Sequence, residues 1–592
     1  MTIQANFPAI KPSLMLDFAN TKQLDSRITY TRASTASYYD GVTTSKAEEN
    51  LLIRSAEFDN ATWGKTRSTV TANAVAAPDG TTTAESLDQA SGQTSSGLAS
   101  QYLVLTANSH VFSVFAKANT KSKIFLRDDF NGARSTWFDL SAGTVGTTNA
   151  GHTASITSVG SSWYRCVIVF TSTAQNNQVI VGLADTDNST TVTDSGGVYV
   201  WGAQLEQRSA VSAYTATTTQ AITNYIPKLQ SAASGVARFD NNPTTGESLG
   251  LLIEESRTNL ITYSSQFDNA AWTKGASSIT ADTIVAPDGT LTGDKLVDTA
   301  TSATHRLEQT QTVTNGASYT ISVFAKAAER SWLAIYEDSG PSNWAFFNLT
   351  TGAVGTVNAG TSTITPVGNG WYRCTLTYTQ VGTSGRVRIA VSTGNTTFTY
   401  TGDGYSGIYI WGAQFEAGAF ATSYIPTVAS QVTRANEAAS MTGTNFSSWY
   451  NSGEGTLYAE GFTANTSTTG IVSINDNTGN NRIDMRLTLG TGVGSSFISV
   501  NGTNQALFTS NATANTQAKQ VVAYKVDDFA FCRNAGTVQT DTSGTIPTLV
   551  TQMRIGTLDG ATNNTWFLGG SIKKIAYYPI RVTNAQLQAL TS

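Results

Sequence analysis

The residues whose types and spacing could do chemistry are mainly aromatic. KIFLR at 123–127 aligns with WLAIY at 332–336, and STWF at 135–138 with WAFF at 344–347. Successive side chains of a strand point to opposite faces. Ile124 and Leu126 in the first copy, with Leu333 and Ile335 in the second, therefore form an apolar face. Lys123, Phe125 and Arg127, or Trp332 and Tyr336, point the other way. By the same rule Phe138, Leu140, Phe347 and Leu349 point to the core, leaving Ser135 and Trp137, or Trp344 and Phe346, on the opposite surface. Trp332, Tyr336, Trp344 and Phe346 would then share one sheet face, with Phe125, Arg127 and Trp137 as their counterparts. Aromatic rings stack on the C–H faces of sugars while neighbouring Asn, Asp and Arg side chains bond the hydroxyls, so this pattern suits carbohydrate binding. The alternative is that a loop, a neighbouring domain or another subunit covers the strip.

No catalytic residue is assigned. The acidic pairs Asp128/Asp129, Glu254/Glu255, Glu337/Asp338 and Asp527/Asp528 are adjacent in sequence. On a strand such neighbours face opposite sides and cannot flank one glycosidic bond. A polysaccharide depolymerase would need carboxylates converging from distant strands, and the long β-helix repeat of many such enzymes is absent. No Ser-His-Asp order, HExxH or phosphate-cradling glycine loop is present. His110, His152 and His305 are scattered, and Cys166, Cys374 and Cys532 lack zinc-ligand spacing. Cys166 and Cys374 occupy equivalent positions and are expected to pack inward as free thiols.

The elements that must position the aromatics occur twice. NLLIRSAEFDNATW at 50–63 returns as NLITYSSQFDNAAW at 259–272, VAAPDG at 75–80 as VAPDG at 285–289, and FDLSAGTVG at 138–146 as FNLTTGAVG at 347–355. SVFAKA, WYRC and the pair VYVWGAQLE/IYIWGAQFE repeat in the same order. A period this long marks duplicated domains, each large enough to close its own core. Charged residues are only 13% of the chain, about half the usual share. Thr, Ser, Asn and Gly crowd the connections between β-branched and aromatic runs, the pattern of short strands in antiparallel two-sheet sandwiches of the jelly-roll kind. The repeated Trp63/Trp272, Trp163/Trp371 and Trp201/Trp411 are expected in cores. The expected divisions are a segment 1–49, modules at 50–216 and 259–427, a strap at 217–258, and a third sandwich at 428–592. That sandwich should close with a short helical turn capped by Thr583 or Asn584. A net charge of −5 without local Lys/Arg clusters speaks against nucleic acid. No run approaches a membrane span, and the amino terminus lacks a secretion signal.

RITYTRASTASYYDG, FDNNPTTGESLGLLIEESRTNLITYSSQFDNAAW and the paired SVFAKA, WYRC and YxWGAQxE motifs resemble the phage head spike fibre family, over residues 1–427. The ending, from GTLYAEGF to SIKKIAYYPIRVTNAQLQAL, resembles concanavalin-like and laminin G sandwiches. The resemblance implies a virion-surface protein of capsid or tail, a head spike or tail fibre that binds host-surface polysaccharide, contacts other virion proteins and forms a homo-oligomer, a trimer among the options. The other readings are a purely structural stalk and a depolymerase. Related jelly rolls hold a structural calcium between first and last strands, which would place Asp59 with Glu206 and Asp268 with Glu416; no other cofactor is implied. The first 49 residues would dock on the particle. The sandwich 428–592 would be independently folded and distal, with Trp449, Tyr450 and Trp566 as contacts to host carbohydrate.

Overall fold

The computed structural model describes residues 7–337, 343–487, 494–558 and 566–592. Strand Ser109–Ala118 shows how the repeated motif folds. Its alternate residues Phe112, Val114 and Ala116 enter the first module's core, while Phe115 joins a smaller cluster on the opposite face. Strand Ser318–Ala327 repeats this, with Ile321, Val323 and Ala325 inward and Phe324 outward.

Each module is a sandwich of two six-stranded antiparallel sheets. In the first module one sheet runs Thr144–Thr148, Arg134–Asp139, Lys123–Asp128, Gln175–Ala184, Leu98–Leu105, Gly64–Thr66. The other runs His152–Ser158, Tyr164–Thr171, Ser109–Ala118, Gly196–Glu206, Ala84–Gln89, Ser68–Val75. The second module has the same two orders. The all-β expectation holds: among the described residues strands make up 53% and helices 3%. The repeated tryptophans are buried as expected, each indole N–H satisfied locally: Trp63 and Trp272 by the carbonyls of Arg54 and Tyr263, Trp163 and Trp371 by those of Ala76 and Val285. Cys166 and Cys374 are buried free thiols.

Asn50 and Asn259 close the modules identically. Asn50 Nδ2 donates to the Ala203 and Thr215 carbonyls, while its Oδ1 accepts from the Leu52 and Leu205 N–H groups. Asn259 makes the same four bonds to Ala413, Ile425, Ile261 and Phe415. A buried amide so satisfied pins the entering strand to the last strand and the exit segment.

The third sandwich differs from the expectation of a self-contained unit at 428–592. Its larger sheet includes strand Leu14–Asp17, and its central strand Gly570–Tyr578 pairs along one edge with both Leu14–Asp17 and Ser248–Ile253. Its other sheet begins with Thr29–Thr31 paired to Ala438–Thr442. Leu14, Leu16, Phe18, Leu251 and Ile253 sit in one core with Leu457, Ile555 and Tyr577. Segments 1–49 and 217–258 are thus parts of this sandwich as well as connections. The physical reason is the open edges of Gly570–Tyr578 and Ala438–Thr442, whose main-chain groups need partners.

The two modules are insertions into this sandwich. Strand Ala36–Asn50 leads out to the first module and Ile222–Ala232 leads back beside it as an antiparallel ribbon. Arg257–Asn259 and Val432–Arg434 do the same for the second module. Where these passages meet, Arg238 Nη2 donates to Glu254 Oε2 at 2.7 Å and Glu437 Oε1 at 2.6 Å, all three residues being buried. Arg32 reaches Glu437 at 3.2 Å and Arg434 reaches Glu254 at 2.8 Å. Burial would raise the Glu254 carboxyl, but Arg434 and Arg238 outweigh it and hold it at about 2.

The terminal helix Asn584–Thr591 is capped by Thr583, whose hydroxyl accepts from Gln586 N while the Gln586 side chain accepts from Thr583 N. No helix among the described residues is long and apolar enough to cross a membrane.

Candidate functional site

The outward aromatics of the second module converge as the alternation requires. Cross-strand pairing sets Glu308, Arg388, Tyr336 and Trp344 in one row, with Ala334 opposite Phe346 and Trp332 opposite Asn348 in neighbouring rows. Arg388 Nε donates to Glu308 Oε2 at 2.6 Å, and its guanidinium lies 5.3 Å from the Tyr336 ring centroid. Arg306 Nε bonds the same Glu308 oxygen at 3.1 Å.

Much of the strip is covered, and the cover is local. Phe398, on the segment following strand Ser384–Ser392, stands edge-on to Tyr336, Trp344 and Phe346 at 5.3, 5.6 and 4.8 Å. Phe346 and Tyr336 are buried, whereas Trp332 and Trp344 are half-buried at the margins. Sugar stacking is therefore open to the two tryptophans and closed to Phe346 and Tyr336. Nothing in the strand pattern around Phe398 pointed to its position, since a loop residue has no face to read. The Glu308–Arg388 pair was equally illegible, because its strands are distant in sequence.

In the first module Phe125 is fully buried, lying over Gly182 and 5.7 Å from Trp137. Trp137 is also buried and its indole N–H donates to the Ser189 carbonyl at 3.1 Å. Both form a small second core in place of a ligand surface. Arg127 is half-buried, 4.9 Å from the Phe125 centroid, and donates to Ser135 Oγ at 2.8 Å.

The terminal aromatics close a core. Trp449 is buried against Phe446 and Tyr577, its N–H donating to the Asn445 carbonyl. Tyr450 stacks on Phe446 at 4.8 Å. A short helix at Thr444–Ser447 turns these rings inward, so the expectation of exposed contacts fails for Trp449. Trp566 is half-buried, with the Arg486 guanidinium 5.1 Å away.

The four carboxylates considered for calcium do not assemble. Glu206 accepts from Ser212 N and Oγ and from Gln204 Nε2; Glu416 accepts from Thr422 N and Oγ1 and from Gln414 Nε2. These last-strand carboxylates face the module's exit segment. Asp59 instead adjoins Glu85, whose Oε2 accepts from Asp59 N at 2.9 Å, and Asp268 adjoins Asp294, which accepts from Phe267 N at 2.9 Å. Glu206 and Glu416 thus spend their oxygens on the exit segment, away from Asp59 and Asp268, and among the described residues no group of three acidic, histidine or cysteine side chains could hold a metal.

Of the acidic pairs, Asp338 lies outside the described residues. Asp128 joins an arrangement that sequence order hid. Thr136 Oγ1 lies 2.9 Å from His152 Nδ1, and His152 Nε2 lies 2.7 Å from Asp128 Oδ2. Arg134 donates to both Asp128 oxygens at 2.9 and 2.8 Å. The order matches a hydroxyl–imidazole–carboxylate relay, but Thr136, His152 and Asp128 are all buried, which leaves no access for substrate. It ties strands together.

No family model matches the chain, and no curated protein does. Among solved structures it is similar to the LG1-3 region of the laminin alpha2 chain, at 11% identity and a TM-score of 0.20, covering 82% of this chain and 96% of that one. It is also similar to the extracellular domain of ANXUR1 from Arabidopsis thaliana, at 8% identity and a TM-score of 0.17, covering 65% and 96%. Likeness at this level decides nothing about either fold or function, and the sandwich assignment rests on the strand pairings themselves.

Proposed function

We propose that this chain is a non-enzymatic phage virion protein, a head spike or tail fibre, that binds host-surface polysaccharide. It would sit on the virion surface as a homo-oligomer held to other virion proteins. One observation carries the carbohydrate reading: half-buried Trp344 ends the Glu308–Arg388–Tyr336 row, and half-buried Trp332 lies beyond the next row on the same sheet face. An indole edge or face beside a held guanidinium and carboxylate offers both the apolar and the hydrogen-bonding half of sugar recognition. A single weak site of millimolar Kd is worth about 4 kcal/mol and becomes effective when several subunits engage one polymer.

The test is binding of the whole chain to immobilised host polysaccharides and glycan arrays. Trp332→Ala and Trp344→Ala should each weaken binding at least tenfold without changing the melting temperature by more than a few degrees. Release of reducing ends from the same polysaccharides would replace this reading with a depolymerase. A stalk without carbohydrate affinity is the second reading, favoured by Phe398 lying over the strip. Absence of binding to every host glycan by multivalently displayed protein would establish it.

A further inference from the structure

The duplicated modules carry a second matched set of side chains, on the outer face of the other sheet. In the first module Phe115, Trp201 and Tyr214 lie 4.8 to 5.8 Å apart, centroid to centroid, with the Arg165 guanidinium 5.1 Å from Phe115. In the second, Phe324, Trp411 and Tyr424 lie 4.8 to 6.0 Å apart, with Arg373 5.4 Å from Phe324. The rings and guanidinium have nearly the same mutual geometry. What lies over them differs.

In the second module the set is filled by this chain's own ribbon. Ile226 (0% exposed) and Leu229 (9%) pack into one cluster with Phe324, Trp371, Trp411 and Tyr424. Leu229 N donates to the Pro287 carbonyl at 2.8 Å, and Pro227 lies so close to Gly368 that a Cβ there would come within 2.5 Å of it. The occupant is an extended strand, bound through two aliphatic side chains three residues apart and a main-chain hydrogen bond.

In the first module Phe115 and Trp201 are also buried, at 3% and 7% exposed, and the set forms one wall of a cleft of about 1130 Å³ between the two modules, reached through half-buried Tyr214 and Arg165 and lined across by Tyr405 and Lys326. The differences in burial follow. Val367 and Tyr424 are buried beneath the ribbon, whereas their counterparts Val159 and Tyr214 are half-buried. Three cations (Arg165, Lys295, Lys326) and four carboxylates (Glu48, Asp79, Asp282, Glu329) line the cleft, so neither sign of charged ligand is favoured.

We propose that the first-module pocket binds an extended polypeptide segment of a partner protein, with two aliphatic side chains spaced like Ile226 and Leu229, as its twin binds the ribbon. An extended segment is the one ligand for which this set of side chains already shows complementary packing. A shared, preformed pocket has no ordering cost of its own to meet.

The probe is a synthetic peptide with the sequence of residues 222–232, titrated into the full chain and followed by fluorescence anisotropy. Saturable binding is expected, weakened at least tenfold by Val159→Arg and by Thr157→Arg, which place a guanidinium in the cleft from two neighbouring positions. Far-UV circular dichroism and melting report whether each variant folds, and either one suffices for the comparison. No saturation below about 1 mM peptide, a Kd limit worth about 4 kcal/mol, would overturn the proposal. So would binding that the folded variants leave unchanged, since the peptide would then be replacing the ribbon on the second module. Neutral hexose oligomers that bind the cleft while the peptide does not would make it a sugar site and equally overturn it.

Discussion

Asn50 and Ile222 are cross-strand partners although the whole first jelly roll lies between them in sequence. The chain leaves and rejoins the ribbon at one point, so the module hangs from a closed hairpin stem. The same holds for Asn259 and Val432 around the second module. Each jelly roll is therefore topologically separable from the sandwich it interrupts.

Replacing residues 51–221 with an Asn-Gly turn should leave the ribbon and the rest of the chain folded, because a two-residue turn suits strands already in register. A cooperative melt with the near-UV spectrum of the remaining tryptophans checks this. The excised module, residues 50–222, should also fold alone, since its core is self-contained.

The opposite holds for the terminal sandwich. A fragment of residues 428–592 lacks Leu14, Leu16, Phe18, Leu251 and Ile253, all buried in its core, and leaves one edge of Gly570–Tyr578 unpaired. Losing that many apolar side chains, each worth about 1.5–3 kcal/mol, is comparable to the whole stability of an ordinary domain. The fragment should be aggregated or unfolded by circular dichroism and proteolysis. Deleting the first 31 residues of the whole chain should have a related effect, so loss of that segment from particles would report misfolding as readily as lost docking.

Arg238→Ala should destabilise the seam between sandwich and modules by about 3–5 kcal/mol, because it strips Glu254 and Glu437 of a shared buried cation. Denaturant unfolding would measure it. Trp371→Ala, which empties a buried site, should cost the second module about 3–5 kcal/mol. Trp332→Ala should cost far less, as a half-buried residue.

Stability should also depend on pH through Glu85. Burial, followed by hydrogen bonding with the Asp59 side chain, pushes its carboxyl up to about 8 from its ordinary 4.5. The folded protein then binds more protons than the unfolded chain between those values. This contribution is fully present below pH 4.5 and is lost as pH rises through about 8. Melting temperatures at pH 5 and 8.5 should differ less in Glu85→Gln than in the parent. Glu254 acts in the opposite direction, its contribution disappearing as pH falls from about 4.5 towards 2.

The sequence by itself determined whatever depends on local alternation and on repetition. Two copies of a motif set required two copies of a sandwich. The period of two assigned Ile124, Leu126, Leu333 and Ile335 to cores and their neighbours to the other face, and Thr583 announced the last helix. Tertiary structure decided what covers each face and which strands complete which sheet. Phe398 reaches the aromatic strip from an irregular segment that carries no periodicity. Leu14–Asp17, Thr29–Thr31 and Ser248–Ile253 are three to six residues long, too short to declare their partners. Strand pairing is set by main-chain hydrogen bonds that any sequence can make, and the open edges of Gly570–Tyr578 and Ala438–Thr442 selected them. The two outer-face aromatic sets are nearly identical in sequence, and it is the path of the ribbon that covers the rim of one and leaves Val159 and Tyr214 of the other half-buried beside the cleft.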